Sequence, residues 1–203
     1  MTSSVDALRQ RVARYMSSSR YEHTLGVEKM AVRLGEVFMP QKIDELRIAA
    51  LLHDVAKELS ENEQLSVVRD YQVPVTDEDL VTLPALHSFA ACGVIKRDFP
   101  EYSGAEILSA VYNHTLGAPD MSLFDKLIYI SDYIEDGRKY YESACVRSYL
   151  LNALSDDRYP DKETCLNRAI LMSIDNTIKH LSSLGRPINS KTLLTKSALE
   201  PLI

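Results

Sequence analysis

Apolar positions recur along this chain at three- and four-residue steps, the period of an α-helix that buries one face. Met30, Leu34 and Val37 follow Val27 at that step. The stretch just before them, Ser19-Arg20-Tyr21-Glu22, has the form of a capping box, in which a serine hydroxyl and a glutamate carboxylate each satisfy a backbone donor of the first turn. A helix is therefore predicted to begin at Ser19. His23 lies four residues before Val27 and shares its inward face.

The same reading predicts a second helix over residues 44–58, with Leu46, Ala49, Ala50 and His53 on one stripe and Leu51, Leu52 and Val55 widening it. Ser60 to Glu63 repeats the capping-box form and starts a short helix that ends near Val73-Pro74, and the polar stretch 75–82 reads as loop. Pro84 suits a first helical turn, where a missing N–H costs little; beyond it His87, Ala91 and Val94 share a face. Pro100 and Gly104 mark a boundary. Over residues 105–115 Ile107, Val111 and His114 share a face, and Gly117 with Pro119 stops that helix. Ser122 with Asp125 resembles another cap, after which Phe124, Ile128 and Asp132 align at four-residue steps. A last helix is predicted over 163–184, closing at Gly185. The tail beyond Pro187 is compatible with a strand, a helix or a flexible arm.

Taken together, these elements predict an all-α fold in one domain over residues 1–203, its core at about 15–185 and a tail at 186–203. At 203 residues the chain is long enough to bury a real core. A net charge of −6 gives no general attraction to polymeric nucleic acid. No apolar run reaches the ~18 residues of a membrane span, and the amphipathic N-terminal stretch MTSSVDALRQRVARYM lacks the apolar core of a signal peptide. Cys92, Cys145 and Cys165 contain no CxxC pair, so they read as reduced, mostly buried thiols of a cytoplasmic protein. Glycine-rich phosphate loops and internal repeats are missing from the sequence, which removes the Rossmann and P-loop readings.

His23, His53, His87 and His114, with Asp54 and Asp132, occupy apolar-facing helical positions spread over half the chain. A buried imidazole or carboxylate is costly unless it is bonded or ligated. Six that converge need a shared partner, and a metal pair is the simplest. Imidazole nitrogen with carboxylate oxygen suits iron, manganese, cobalt or zinc. Asp54, with two oxygens, can bridge two ions. His180 falls outside this pattern and reads as a surface or packing residue. Tyr129, Tyr133, Tyr140 and Tyr141 offer ring faces to a base, although aromatics at helical spacing more often fill cores.

The order His … His-Asp … His … His … Asp, with HDVAK and NHTLGAPDMSLFDKLIYISDYIE followed by GR, resembles the HD-domain phosphohydrolases, and among them the YqeK-type symmetrical diadenosine tetraphosphate hydrolases. The resemblance spans about residues 15–185. It implies an HD-domain helical bundle with a di-iron-like centre that cleaves the dinucleotide into two ADP. Carried over by position, His23, His53, Asp54 and Asp132 match the general ligands, and His87 and His114 match a pair that adds a second metal. Asp54 then bridges and is catalytic, together with Lys57. Lys57, Thr115 and Arg138 become substrate contacts, and the expected nucleophile is a metal-bridging hydroxide. Asp136 departs from the pattern, standing where proline is expected. The alternatives are another HD-type nucleotide phosphohydrolase, acting on mononucleotides or alarmones, and a non-catalytic nucleotide-binding module. A homodimer is compatible with the sequence.

Overall fold

The structure, a computed structural model, describes residues 4–156 and 161–203. These form helices and turns without strand. In chain order the helices are α1 Ser4–Val12, α2 Ser18–Phe38, α3 Ile43–Leu52, α4 Glu61–Asp70, α5 Asp77–Val81, α6 Leu83–Asp98, α7 Ala105–Asn113, α8 Leu123–Ile134, α9 Tyr141–Ser155, α10 Lys162–Ser183 and α11 Ser190–Leu199. The start of the amphipathic N-terminal segment, residues 1–3, lies outside the described residues. No described helix is long and apolar enough to cross a membrane.

At the centre, α3 and α6 are buried almost all round. Leu46, Ala49, Ala50, Leu51 and Leu52 of α3 are all fully buried, as is Val55 just after it. In α6 every residue from Ala85 to Ile95 is buried. At about 1.5–3 kcal/mol for each large aliphatic side chain taken from water, these two segments anchor the fold. Around them α2 packs on α3 and α8, α7 on α6 and α8, α4 on α6, and α9 on α10.

Several predicted boundaries shift. The cap of α2 is Ser17, whose hydroxyl accepts from the Arg20 N–H, so Ser19 is already inside the helix. The boxes at Ser60 and Ser122 form as expected. The stretch read as loop contains α5, started by a capping box of its own, Thr76 with Asp79. α9 was not anticipated, and α10 is followed by α11. Cys92 and Cys165 are buried, whereas Cys145 is exposed.

The correction with the largest consequence is the end of α3. It stops at Leu52, not at residue 58, and the chain continues in tight turns, with Val55 N–H to Leu52 O at 3.3 Å and Lys57 N–H to Asp54 O at 2.9 Å. On a continuous helix adjacent side chains diverge by about 100°. His53, which caps α3, itself keeps helical dihedrals (φ −56°, ψ −36°), and the tight turns begin beyond it. α7 does the same, ending at Asn113 immediately before His114.

Candidate metal centre

All six predicted ligands converge. His23 comes from α2, His53 and Asp54 from the turn after α3, His87 from α6, His114 from the end of α7 and Asp132 from α8. The two oxygens of Asp54 divide the histidines. Oδ2 lies 3.4 Å from His53 Nε2 and 3.9 Å from His23 Nε2, whereas Oδ1 lies 3.2 Å from His87 Nε2 and 3.7 Å from His114 Nε2. Asp132 Oδ1 completes the first group, 3.0 Å from His23 Nε2 and 3.9 Å from His53 Nε2.

Three of the histidines have their outer nitrogen fixed. His53 Nδ1 lies 2.6 Å from the Ala50 carbonyl and His114 Nδ1 2.7 Å from the Val111 carbonyl, each three residues back. A carbonyl can only accept, so each Nδ1 carries the proton and donates it. That leaves Nε2 as a lone pair aimed into the cavity, the arrangement typical of a metal-ligating histidine. His23 Nδ1 faces Glu135 Oε1 at 3.2 Å, a carboxylate that also favours the Nδ1-protonated tautomer. The buried Nε2 atoms of His23 and His53 have no hydrogen-bond partner, a costly state that an ion would relieve. The donor atoms of His23, His53 and Asp132 lie within 4.8 Å of one another, as do those of His53, Asp54 and His114. The residues thus fit metal ions.

Electrostatics agree with the geometry. Burial works against a charge on Asp54, but His53, His114 and His87 outweigh it and hold the carboxyl well below its usual range. Asp132 behaves alike, with His23 and Arg138 overcoming its burial. Burial pushes His87 down to about 4 against the pull of Asp54, so it is a neutral, ligand-competent imidazole at neutral pH. Fully buried His53 is nonetheless raised, because Asp54 and Asp132 overcome its desolvation.

The expected substrate contacts border this centre. Lys57 Nζ lies 3.2 Å from both ring nitrogens of His87, and burial lowers its pKa. Thr115 Oγ1 is 3.3 Å from His87 Nε2. Arg138 donates to Asp132 Oδ1 at 2.7 Å and to the Asp132 carbonyl at 3.1 Å. Asp136, the departure from the pattern, is exposed and faces outward, 3.7 Å from Lys29 and from Arg147.

Two contributors escaped the sequence reading. Arg20 donates to Asp54 Oδ2 at 3.0 Å; its place one helical turn before His23 was the available signal. Glu135, buried, faces His23 and also accepts from the Gly137 N–H. Gly26 makes room for it, since a Cβ there would lie 2.3 Å from Glu135 Oε2.

The HD domain family matches residues 20–137. Over 94% of both chains, the protein is 30% identical to a symmetrical bis(5'-nucleosyl)-tetraphosphatase from Halalkalibacterium halodurans. It is 31% identical to the Bacillus subtilis protein of the same name over 91% of each. A crystal structure of a predicted HD superfamily hydrolase involved in NAD metabolism, from Clostridium acetobutylicum, superposes with a TM-score of 0.82. It is 32% identical, and the match covers 97% of this chain and 96% of that one. The chain therefore belongs to the HD domain family, in the branch that holds the symmetrical bis(5'-nucleosyl)-tetraphosphatases.

Proposed function

We propose that this protein is a metal-dependent phosphohydrolase that cleaves diadenosine tetraphosphate symmetrically, adding one water across the central phosphoanhydride bond and releasing two ADP. The observation that carries the reading is the division of the donors by Asp54, with His23 and His53 near one oxygen and His87 and His114 near the other. A carboxylate with imidazole nitrogens gathered at both of its oxygens would be placed to serve two neighbouring ions. Support for the substrate comes from the relatives named for that activity.

In this reading His23, His53 and Asp132 would hold one ion and His87 and His114 the other, with Asp54 within reach of both. Iron is the proposed metal, and the same donors admit manganese, cobalt or zinc. Bound there, a metal pair supplies Lewis acidity at the attacked phosphoryl group and makes water a competent nucleophile at neutral pH. The chain's own residues do the rest. Glu135 and the carbonyls of Ala50 and Val111 hold the histidine rings in place. Lys57, Arg20 and Arg138 meet the four-phosphate chain, and their positive charge offsets the charge that develops as the central bond breaks. Thr115 orients substrate beside His87. The buried thiols of Cys92 and Cys165 extend the proposal to a reducing, cytoplasmic setting.

The test is product analysis on anaerobically metal-loaded protein. ADP as the sole nucleotide product is expected; ATP with AMP, or turnover of mononucleotides alone, sinks the assignment. Lys57→Met is expected to keep the metal content and lose about 100–1,000-fold in kcat, the usual cost of one preorganised charge contact.

A further inference from the structure

Between α8 and α9 the chain turns through Asp136 and Gly137, and this turn carries the arginine that borders the metal centre. The Arg138 N–H closes it on the Glu135 carbonyl at 3.0 Å. The Glu135 side chain folds back toward α2, where Oε1 meets His23 Nδ1, and Oε2 accepts from the Gly137 N–H. That fold-back demands glycine at 137, since a Cβ there would lie 2.9 Å from both carboxylate oxygens. Glycine also leaves a turn free to move. Something outside it must hold its shape.

Arg147, in the second turn of α9, is placed to do so. Its side chain is only 14% exposed, and its two end nitrogens span the turn. Nη1 donates to the Glu135 carbonyl at 2.9 Å and Nη2 to the Arg138 carbonyl at 2.8 Å, with Asp136 Oδ1 3.7 Å from Nη1. A planar guanidinium that bonds two carbonyls at once fixes their separation, which a point donor such as lysine does not. Those carbonyls belong to the first and last residues of the turn, so Arg147 sets where the Arg138 side chain starts. Arg138 uses Nε on the Asp132 carbonyl and Nη2 on Asp132 Oδ1, and its Nη1 bonds no protein group among the described residues. It borders the same opening as Arg20 and His23, which Arg147 does not reach.

We propose that Arg147 is a positioning residue that acts through Arg138: it holds the 135–138 turn so that Arg138 bonds Asp132 and still presents an N–H to a phosphate oxygen. A displacement of about 1 Å can cost about a hundredfold at a reacting centre, so a clamp behind the contact has a measurable effect. This role deepens the hydrolase reading and rests on it for the identity of the full substrate.

The experiment is a double-mutant cycle on iron-loaded, full-length protein, with Arg147→Met, Arg138→Met and the pair combined. ADP affinity is read by anaerobic titration calorimetry, kcat/KM on diadenosine tetraphosphate, and iron by metal analysis. Arg147→Met is expected to weaken ADP and lower kcat/KM about tenfold each, with iron content unchanged. In the Arg138→Met background the same change should shift either by less than about twofold, the mark of a shared route. Arg147→Lys, which keeps the charge and one donor, should lose only about threefold. It runs the same cycle if Arg147→Met does not fold. The proposal is overturned if Arg147 substitutions matter as much without Arg138 as with it, or if the wild type does not bind ADP. Loss of iron in Arg147→Met overturns it as well, since Arg147 would then act through Glu135 and His23. Coupled losses in ADP affinity on protein that leaves diadenosine tetraphosphate uncut keep the positioning role and retire the hydrolase reading.

Discussion

Two buried carboxylates in this protein, Asp54 and Asp79, sit among cations and aromatic rings and have opposite fates. Asp79, fully buried, accepts from Lys191 Nζ at 2.6 Å, from the Thr76 N–H at 2.9 Å and from Asn189 Nδ2 at 3.4 Å. Lys191 in turn donates to the Tyr112 hydroxyl at 3.0 Å and lies 4.9 Å from the ring centres of Phe89 and Tyr112. That cluster is closed, and it pins α11 to α5, α6 and α7. The cluster around Asp54 is open, because the buried Nε2 atoms of His23 and His53 end without partners. A polar cluster that satisfies itself holds a fold together; one that leaves aligned lone pairs is built for something that binds.

The largest effect should come from Asp54→Ala, which removes the shared carboxylate. Metal content is expected to fall and kcat to drop by about a thousandfold or more, read by metal analysis and ADP formation. A variant with full metal content and rate would remove the distinction between the clusters. Asp79→Ala tests the closed one. It strands Lys191, at about 2–4 kcal/mol, the low side of buried-pair losses because Lys191 keeps 24% of its side chain in water. The melting temperature should fall by about 5–15 °C, with metal content unchanged. The double variant Asp79→Leu/Lys191→Met should recover much of this, since an apolar pair replaces an ion pair at little cost; an equivalent apolar swap at Asp54 has no such rescue of activity.

Chelation sharpens the contrast from the other side. Ions that bind only the folded state stabilise by about 2.7 kcal/mol at a hundredfold excess over Kd, so their removal should lower the melting temperature by about 5–10 °C. Asp79→Ala and chelation should act additively, being independent clusters. The smallest effect is in pH. Burial opposes the charge on Asp79, but the bonds from Lys191 and Thr76 hold it below the usual carboxylate range. As pH falls past about 4 the unfolded chain takes up that proton first. The stability that Asp79 contributes is thus complete above that point and is lost as pH falls through the depressed folded value. Denaturation curves of wild type and Asp79→Asn should converge in that window; parallel curves would refute the assignment.

The open cluster was the more legible of the two in sequence, and the reason is physical. Its histidines and aspartates stand at helical spacing on apolar faces, where a titratable side chain is conspicuous. Lys191 and Asp79 lie 112 positions apart, one in a tail without a clear period and the other in a stretch read as loop, so no local pattern joins them. α9 was missed because it begins at Tyr140 without a side-chain cap, and its apolar positions make only a weak stripe. The end of α3 was misplaced because the helical pattern of residues 53–58 is locally sound. Beyond Leu52 the backbone bonds close three residues back instead of four, a tightening that apolar periodicity does not register. Arg20 and Glu135 were overlooked for a simpler reason: a charged residue on a helix normally faces water.

His53 and His114 have a location in common: each is the residue at which its helix ends. The carboxy-terminal end of a helix carries the negative pole of its summed peptide dipoles, about half an elementary charge. The last turns of α3 and α7 therefore both bring that pole beside the cavity, in addition to the formal charges of Asp54 and Asp132. The backbone itself selects for cations there, so a substitution that removes one ligand would still leave a place where positive charge collects.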